Sequence, residues 1–298
     1  MIAAVFQRQF IEMEALTRTF KASQSGIDLT FWQSRREALV DFSLQVLLQN
    51  DNIPKLLFDA AFDAYSIAIS PTINRHQNLF SLNNALLNDA FLGPVVEKVI
   101  VLFFLQSTNT QKFDIGLRLL KPLKEEIKSV ISEKAIIDFI SVLRHLLNPT
   151  CEMECQMRQL VIQLLSCCVE NPAVLQQNDV LVQIADSVFS FLSSDNFMDN
   201  QYINDAHFIL SCLGCIKVTS LPVLVASQPS EIWSLLRDLL LKSDKERVNH
   251  HKVWTEVSTH CLKLVHQVAE TSNHNMSLGI NFEETYGKFL NVPFILQE

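Results

Sequence analysis

Residues 136–172 read IIDFISVLRHLLNPTCEMECQMRQLVIQLLSCCVENP, and their pattern decides the class of fold. Ile136, Ile137, Ile140, Leu143 and Leu147 fall three or four apart, as do Met157, Leu160, Val161, Leu164, Leu165 and Cys168. That is the period of a buried helical face. Asn148 and Pro149 interrupt it, because proline cannot continue a helix and restricts the residue before it. The stretch therefore predicts two apolar helices that fold back on each other.

The rest of the chain follows the same pattern. Predicted helices cover 2–22, 31–49, 53–69, 79–92, a segment from Pro94 through VIVLFFL (99–105), a segment from Phe113 with a kink near Lys121 imposed by Pro122, and then 180–192, 202–216, 232–241 and 253–268. Gly93-Pro94 is expected to end one helix and start the next. Ser220 to Ser230, with Pro222 and Pro229, is expected to be a connection. No strand alternation of useful length appears, and only 6 glycines in 298 residues argue against folds rich in tight hairpins or phosphate-cradling loops.

The expectation is an all-α chain of about a dozen helices. Helix pairs recur at roughly 35 to 45 residues, the period of HEAT and armadillo arrays, so the predicted architecture is an α-solenoid. A compact irregular helical domain would leave a similar pattern. No linker-like stretch divides the chain, so residues 1–298 are expected to form one elongated repeat domain with an irregular tail from about 273.

Composition narrows the function classes. Hydrophobic residues make up 48% of the chain against 19% charged, enough for a large core. With 24 basic and 32 acidic residues the net charge is −8, which argues against nucleic acid as a direct ligand. The longest apolar run, seven residues from Val99 to Leu105, is too short to span a bilayer, and the first residues lack the basic region of a signal peptide. Seven cysteines, an odd number at mostly helical positions, fit thiols packed as small apolar groups in a reducing compartment, nuclear or cytoplasmic.

Residues capable of chemistry are few. Cys212 and Cys215 form a CxxC, which could be a redox pair or half of a zinc site completed by Cys151 and Cys155 or by His207. A redox CxxC should open a helix after a strand, whereas this one lies late in a helix beside Phe208, Ile209, Leu213 and Ile216, so packing is the expected role. No nucleophile elbow, P-loop, GxGxxG or HExxH occurs, so no enzyme activity, metal or cofactor is expected. The lysines and glutamates from Lys121 to Lys134 are expected to be a solvated helix face.

Two groups are candidates for partner binding. Lys242, Lys245, Arg247 and Lys252 lie in KSDKERVNHHK, the most basic patch of the chain, which could dock an acidic partner or be a solvated loop. Phe282, Tyr286, Phe289 and Phe294 form an aromatic C-terminal group, which could cap the last repeat or bind a partner.

From about Val95 onward, the runs VIVLFFLQS, FISVLRHLLNPT, RQLVIQLLSCCVENPAVL, FILSCLGC and THCLKLVHQV resemble, in order and spacing, the helical C-terminal region of the ATR-interacting checkpoint proteins. The resemblance implies a non-catalytic, nuclear helical region that binds the large kinase ATR. The chain departs from that family's pattern in having no acidic-hydrophobic N-terminal peptide and no sustained heptads, so recruitment to coated single strands is not implied. The functional expectation is a helical scaffold for protein–protein interaction. The partner could be a kinase of the ATR type or a member of another nuclear or cytoplasmic complex, and the chain could be a portion of a longer protein.

Overall fold

Among the described residues, backbone hydrogen bonding is helical throughout and no strand occurs. The computed structural model describes residues 2–23, 29–49, 53–69, 81–107, 109–128, 132–148, 151, 153–192, 206–217, 229–246 and 251–274. The all-α expectation holds. The chain divides into two compact units, Met1–Ala135 and Ile136–Glu298.

In the first unit, α1 (Ile2–Ser23), α2 (Leu29–Leu48) and α3 (Lys55–Ile69) pack on one another. Met13 and Phe20 from α1, Leu39, Leu44 and Leu47 from α2, and Leu57 and Tyr65 from α3 are all buried. Ala61, Ala64 and Ala68 repeat at helical spacing on α3 and are buried too, and small side chains there let backbones approach closely. The Tyr65 hydroxyl donates to the Leu119 carbonyl at 3.3 Å, and burial pushes its pKa upward.

Pro94 departs from expectation. Instead of ending at Gly93, α4 runs unbroken from Ser81 to Ile100 with Pro94 inside it. An interior proline costs about 3 kcal/mol through its missing N–H and its clash one turn back. Continuing the helix buries Val95, Val96, Val99 and Ile100, and each such burial is worth roughly 1.5–3 kcal/mol, so the apolar term prevails.

Beyond Ile100 the chain widens into a π turn, Val101–Leu105, closed by the Gln106 N–H on the Val101 carbonyl at 2.9 Å. Helix α5 (Thr110–Leu120) starts at Asn109, whose side chain accepts from the Gln111 N–H at 2.9 Å. The break predicted near Lys121 is present, as α5 gives way to a 3-10 helix over Lys121–Lys128. There Lys128 pairs with Glu125 at 2.9 Å and holds its carboxyl below the ordinary range. The charged face thus pairs at i,i+3, as the tighter 3-10 winding dictates.

In the second unit lie α6 (Glu133–Leu147, from Ile136 on), α7 (Cys155–Val169), the single turn α8 (Pro172–Leu175), α9 (Asn178–Leu192), α10 (Ala206–Lys217), α11 (Pro229–Glu246) and α12 (His251–His274). Pro229, expected in a connection, is the first residue of α11, where a missing N–H is harmless. Helix α12 continues to His274, just past the expected start of the tail.

Helices α6 and α7 flank the predicted break, but the expected close hairpin is not the main packing of α7. Its most extensive packing is against α10. Ten of its fifteen residues are buried, from Met157 round to Val169, so it is enclosed on most sides rather than along one stripe. Gly214 of α10 has no Cβ to hold the helices apart, and one built there would lie 3.5 Å from Ser166 Oγ of α7.

Arg144 of α6 donates to Ser187 Oγ at 2.9 Å and to Gln183 Oε1 at 2.5 Å, both on α9. Arg144→Ala is expected to lower unfolding free energy by about 1 kcal/mol, measured by urea denaturation, since the part-buried bond to Ser187 contributes about that much and the bond to Gln183 is solvent-exposed. The α11–α12 pair is joined by the hydroxyls of Ser243 and Ser258, 2.6 Å apart.

Candidate functional site

The CxxC of Cys212 and Cys215 is the strongest chemical motif in the sequence. Cys212 and Cys215 are both fully buried in α10, with buried Phe208 one turn before Cys212 and buried Ile216 directly after Cys215. Burial raises the Cys215 thiol to about 12, with a smaller opposite pull from the Ser166 hydroxyl. Burial likewise raises Cys168, well above the ordinary thiol value, and Cys261, to about 12. A nucleophilic or ligating cysteine needs its thiolate, so these environments oppose that chemistry and suit packing. All seven cysteines are unbridged, and only Cys151 and Cys155 reach part exposure. Among the described residues, no group of three or more His, Cys, Asp or Glu side chains is placed to hold a metal ion.

The basic patch is only partly described. Lys245 and Lys252 are exposed, at the end of α11 and the start of α12, and Lys242 is half-buried. Arg247 lies outside the described residues, as do Phe282, Tyr286, Phe289 and Phe294 of the aromatic group. The patch is also mixed in sign, since Glu256 is exposed one turn after Lys252.

The structure forms a different site in the first unit, a groove of about 230 Å³ between α2 and α4. Glu37, Val40 and Asp41 line one wall, and Phe91, Pro94, Val95 and Lys98 the other. The i,i+4 spacing of Glu37 and Asp41 puts both carboxylates on one face of α2. Lys98 Nζ reaches across to Asp41 Oδ1 at 2.6 Å. Both partners are about half exposed, so Lys98→Ala is expected to change unfolding free energy by less than about 1 kcal/mol in urea denaturation.

Beneath the groove, Arg36 is 1% exposed. Its Nε donates to the Ala68 carbonyl at 2.6 Å, and its guanidinium stacks 3.9 Å over the Phe91 ring. The bond caps the last turn of α3, where carbonyls lack helical donors and a cation meets the negative end of the helix dipole. Burial lowers the Arg36 pKa to about 10. One residue thereby fixes α2, the end of α3 and the Phe91 wall of the groove. A counterpart in the second unit is Arg158, 5% exposed, donating to the Cys151 carbonyl at 2.6 Å beside the Phe191 ring.

Sequence reading passed over Glu37, Asp41 and Lys98 because each is an ordinary surface charge on its own helix. The available signals were the i,i+4 carboxylates on α2 and the proline within an otherwise continuous apolar pattern on α4. Nothing in the sequence says that these two helices meet.

Compared with protein-family models, with curated proteins and with solved structures, the chain finds no match. No described helix is long and apolar enough to cross a membrane.

Proposed function

We propose that this chain is a non-catalytic helical scaffold that binds another protein, and that its helices are organised as a HEAT- or armadillo-type α-solenoid. The observation that carries this reading is the use of its chemically capable residues. The CxxC thiols and Cys168 are sealed in the core, and the buried arginines Arg36 and Arg158 bond backbone carbonyls. Packing between helices near one another in the chain, α1 on α2, α2 on α3 and α11 on α12, supports stacked repeats, each covering its neighbour.

The partner suggested by the sequence resemblance is a large checkpoint kinase of the ATR type, with this chain as its regulatory subunit in the nucleus. Affinity purification of the tagged chain from nuclear extract, followed by mass spectrometry, tests it. Recovery of an ATR-type kinase in stoichiometric amount is the expected result, and its absence rejects that partner. Elemental analysis of the same preparation tests the non-catalytic part. Stoichiometric zinc whose chelation unfolds the chain would overturn a scaffold without a metal site.

A further inference from the structure

We infer that the groove between α2 and α4 is a recognition pocket for a single arginine side chain presented by a protein partner. Only the proteinaceous nature of the partner rests on the scaffold reading; the arginine follows from the groove.

Size comes first. At about 230 Å³ the groove is smaller than the roughly 300–1,000 Å³ of small-molecule pockets, and it suits one inserted side chain. Its inner surface is apolar, with Val40 1%, Phe91 4% and Val95 5% exposed. An occupant therefore needs an apolar stem.

Charge comes second. The lining holds two carboxylates, Glu37 and Asp41, and one ammonium, Lys98, which is paired with Asp41. No ion pair of Glu37 occurs among the described residues. The groove thus offers acceptors in excess of donors around an apolar interior.

Arginine meets both demands. Its stem packs on apolar surface, and its planar fork of N–H donors matches a carboxylate such as that of Glu37. Lysine carries a compact, more strongly hydrated charge that loses more on leaving water. A purely apolar side chain would shield Glu37 from water without giving it a donor. Arg36 already places a positive charge against the Phe91 ring, so an incoming cation depends on Glu37 to offset it. Glu37 is therefore the discriminating residue.

The test uses the full chain with methyl-labelled valines, titrated with Nα-acetyl-arginine amide and, separately, with the equally capped lysine and norleucine. The expected result is a saturable shift of the Val40 and Val95 methyl signals with capped arginine, and binding roughly fivefold or more weaker for the other two probes. Glu37→Gln should weaken arginine binding by a similar roughly fivefold factor and leave the melting temperature unchanged, since Glu37 is exposed. No saturable shift at these valines, an equal response to norleucine, or undiminished binding by Glu37→Gln overturns the inference. A chain that binds arginine here yet recovers no kinase leaves this inference standing and rejects only that partner.

Discussion

Gly116→Ala is expected to lower the unfolding free energy by about 3 kcal/mol, whereas Gly214→Ala, the same change on another buried helix, should be neutral or raise it by up to about 1 kcal/mol. A Cβ at Gly116 would lie 2.6 Å from Phe104 Cε2 and 2.8 Å from Phe103 Cβ. Neither neighbour can retreat cheaply. Phe104 is 2% exposed and stacks on Phe113 with ring centroids 5.8 Å apart. The Phe103 Cβ is fixed by the backbone of the π turn Val101–Leu105. At Gly214 the nearest side-chain atom, Ser166 Oγ, is 3.5 Å from the added Cβ, an ordinary contact. There the helix-propensity gain of alanine over glycine, about 1 kcal/mol, is not offset by overlap. Urea denaturation of both variants checks the pair. Equal effects would mean that the π turn does not press on α5.

The second large effect is with pH. Stability is expected to fall by about 3 kcal/mol between about pH 9 and pH 10 under reducing conditions. Burial raises the Cys215 and Cys261 thiols from 9.0 to about 12, and Cys168 well above 9.0. Each folded thiol keeps its proton at pH values where the unfolded chain has lost it. This contribution is complete below the unfolded pKa and disappears as pH rises toward the folded one, at up to about 1.4 kcal/mol per pH unit for each thiol.

Arg36 acts in the opposite sense. Its folded pKa is lowered from 12.5 to about 10, so from about pH 9 upward the unfolded chain binds increasingly more protons at this site, an offset of only about 0.4 kcal/mol by pH 10, and the thiols govern that window. Urea denaturation at a series of pH values gives the slope, and Cys261→Ala should remove about a third of it. An unchanged slope in that variant would mean that Cys261 ionises in the folded state much as it does in the unfolded one.

Both predictions depend on packing between elements rather than on the residues next to each site, and this separates what was legible in the sequence from what was not. The helical class and most helix spans were legible because an amphipathic period of 3.6 is a local property, carried by stripes such as Val253, Val257, Cys261 and Leu264. The break after α5 was legible because Pro122 acts on its own backbone. Pro94 misled for the converse reason. Its local cost was readable, but the burial of Val95, Val96, Val99 and Ile100 that outweighs it depends on surfaces supplied by other segments. The packing role of Cys212 and Cys215 could be inferred from their neighbours in the helix, since Phe208, Ile209 and Leu213 share the same apolar surroundings.

The amino-acid sequence alone thus determined the helical class, the packing role of Cys212 and Cys215 and the break at Pro122, because these follow from the nearest few residues. Only tertiary structure decided that α7 packs most extensively against α10, that Arg36 closes the end of α3, and that Glu37 and Asp41 face Lys98 across a groove. The physical reason is that helix–helix choice depends on shape and charge complementarity between surfaces tens of residues apart. A periodic pattern says which face of a helix is buried but not what buries it.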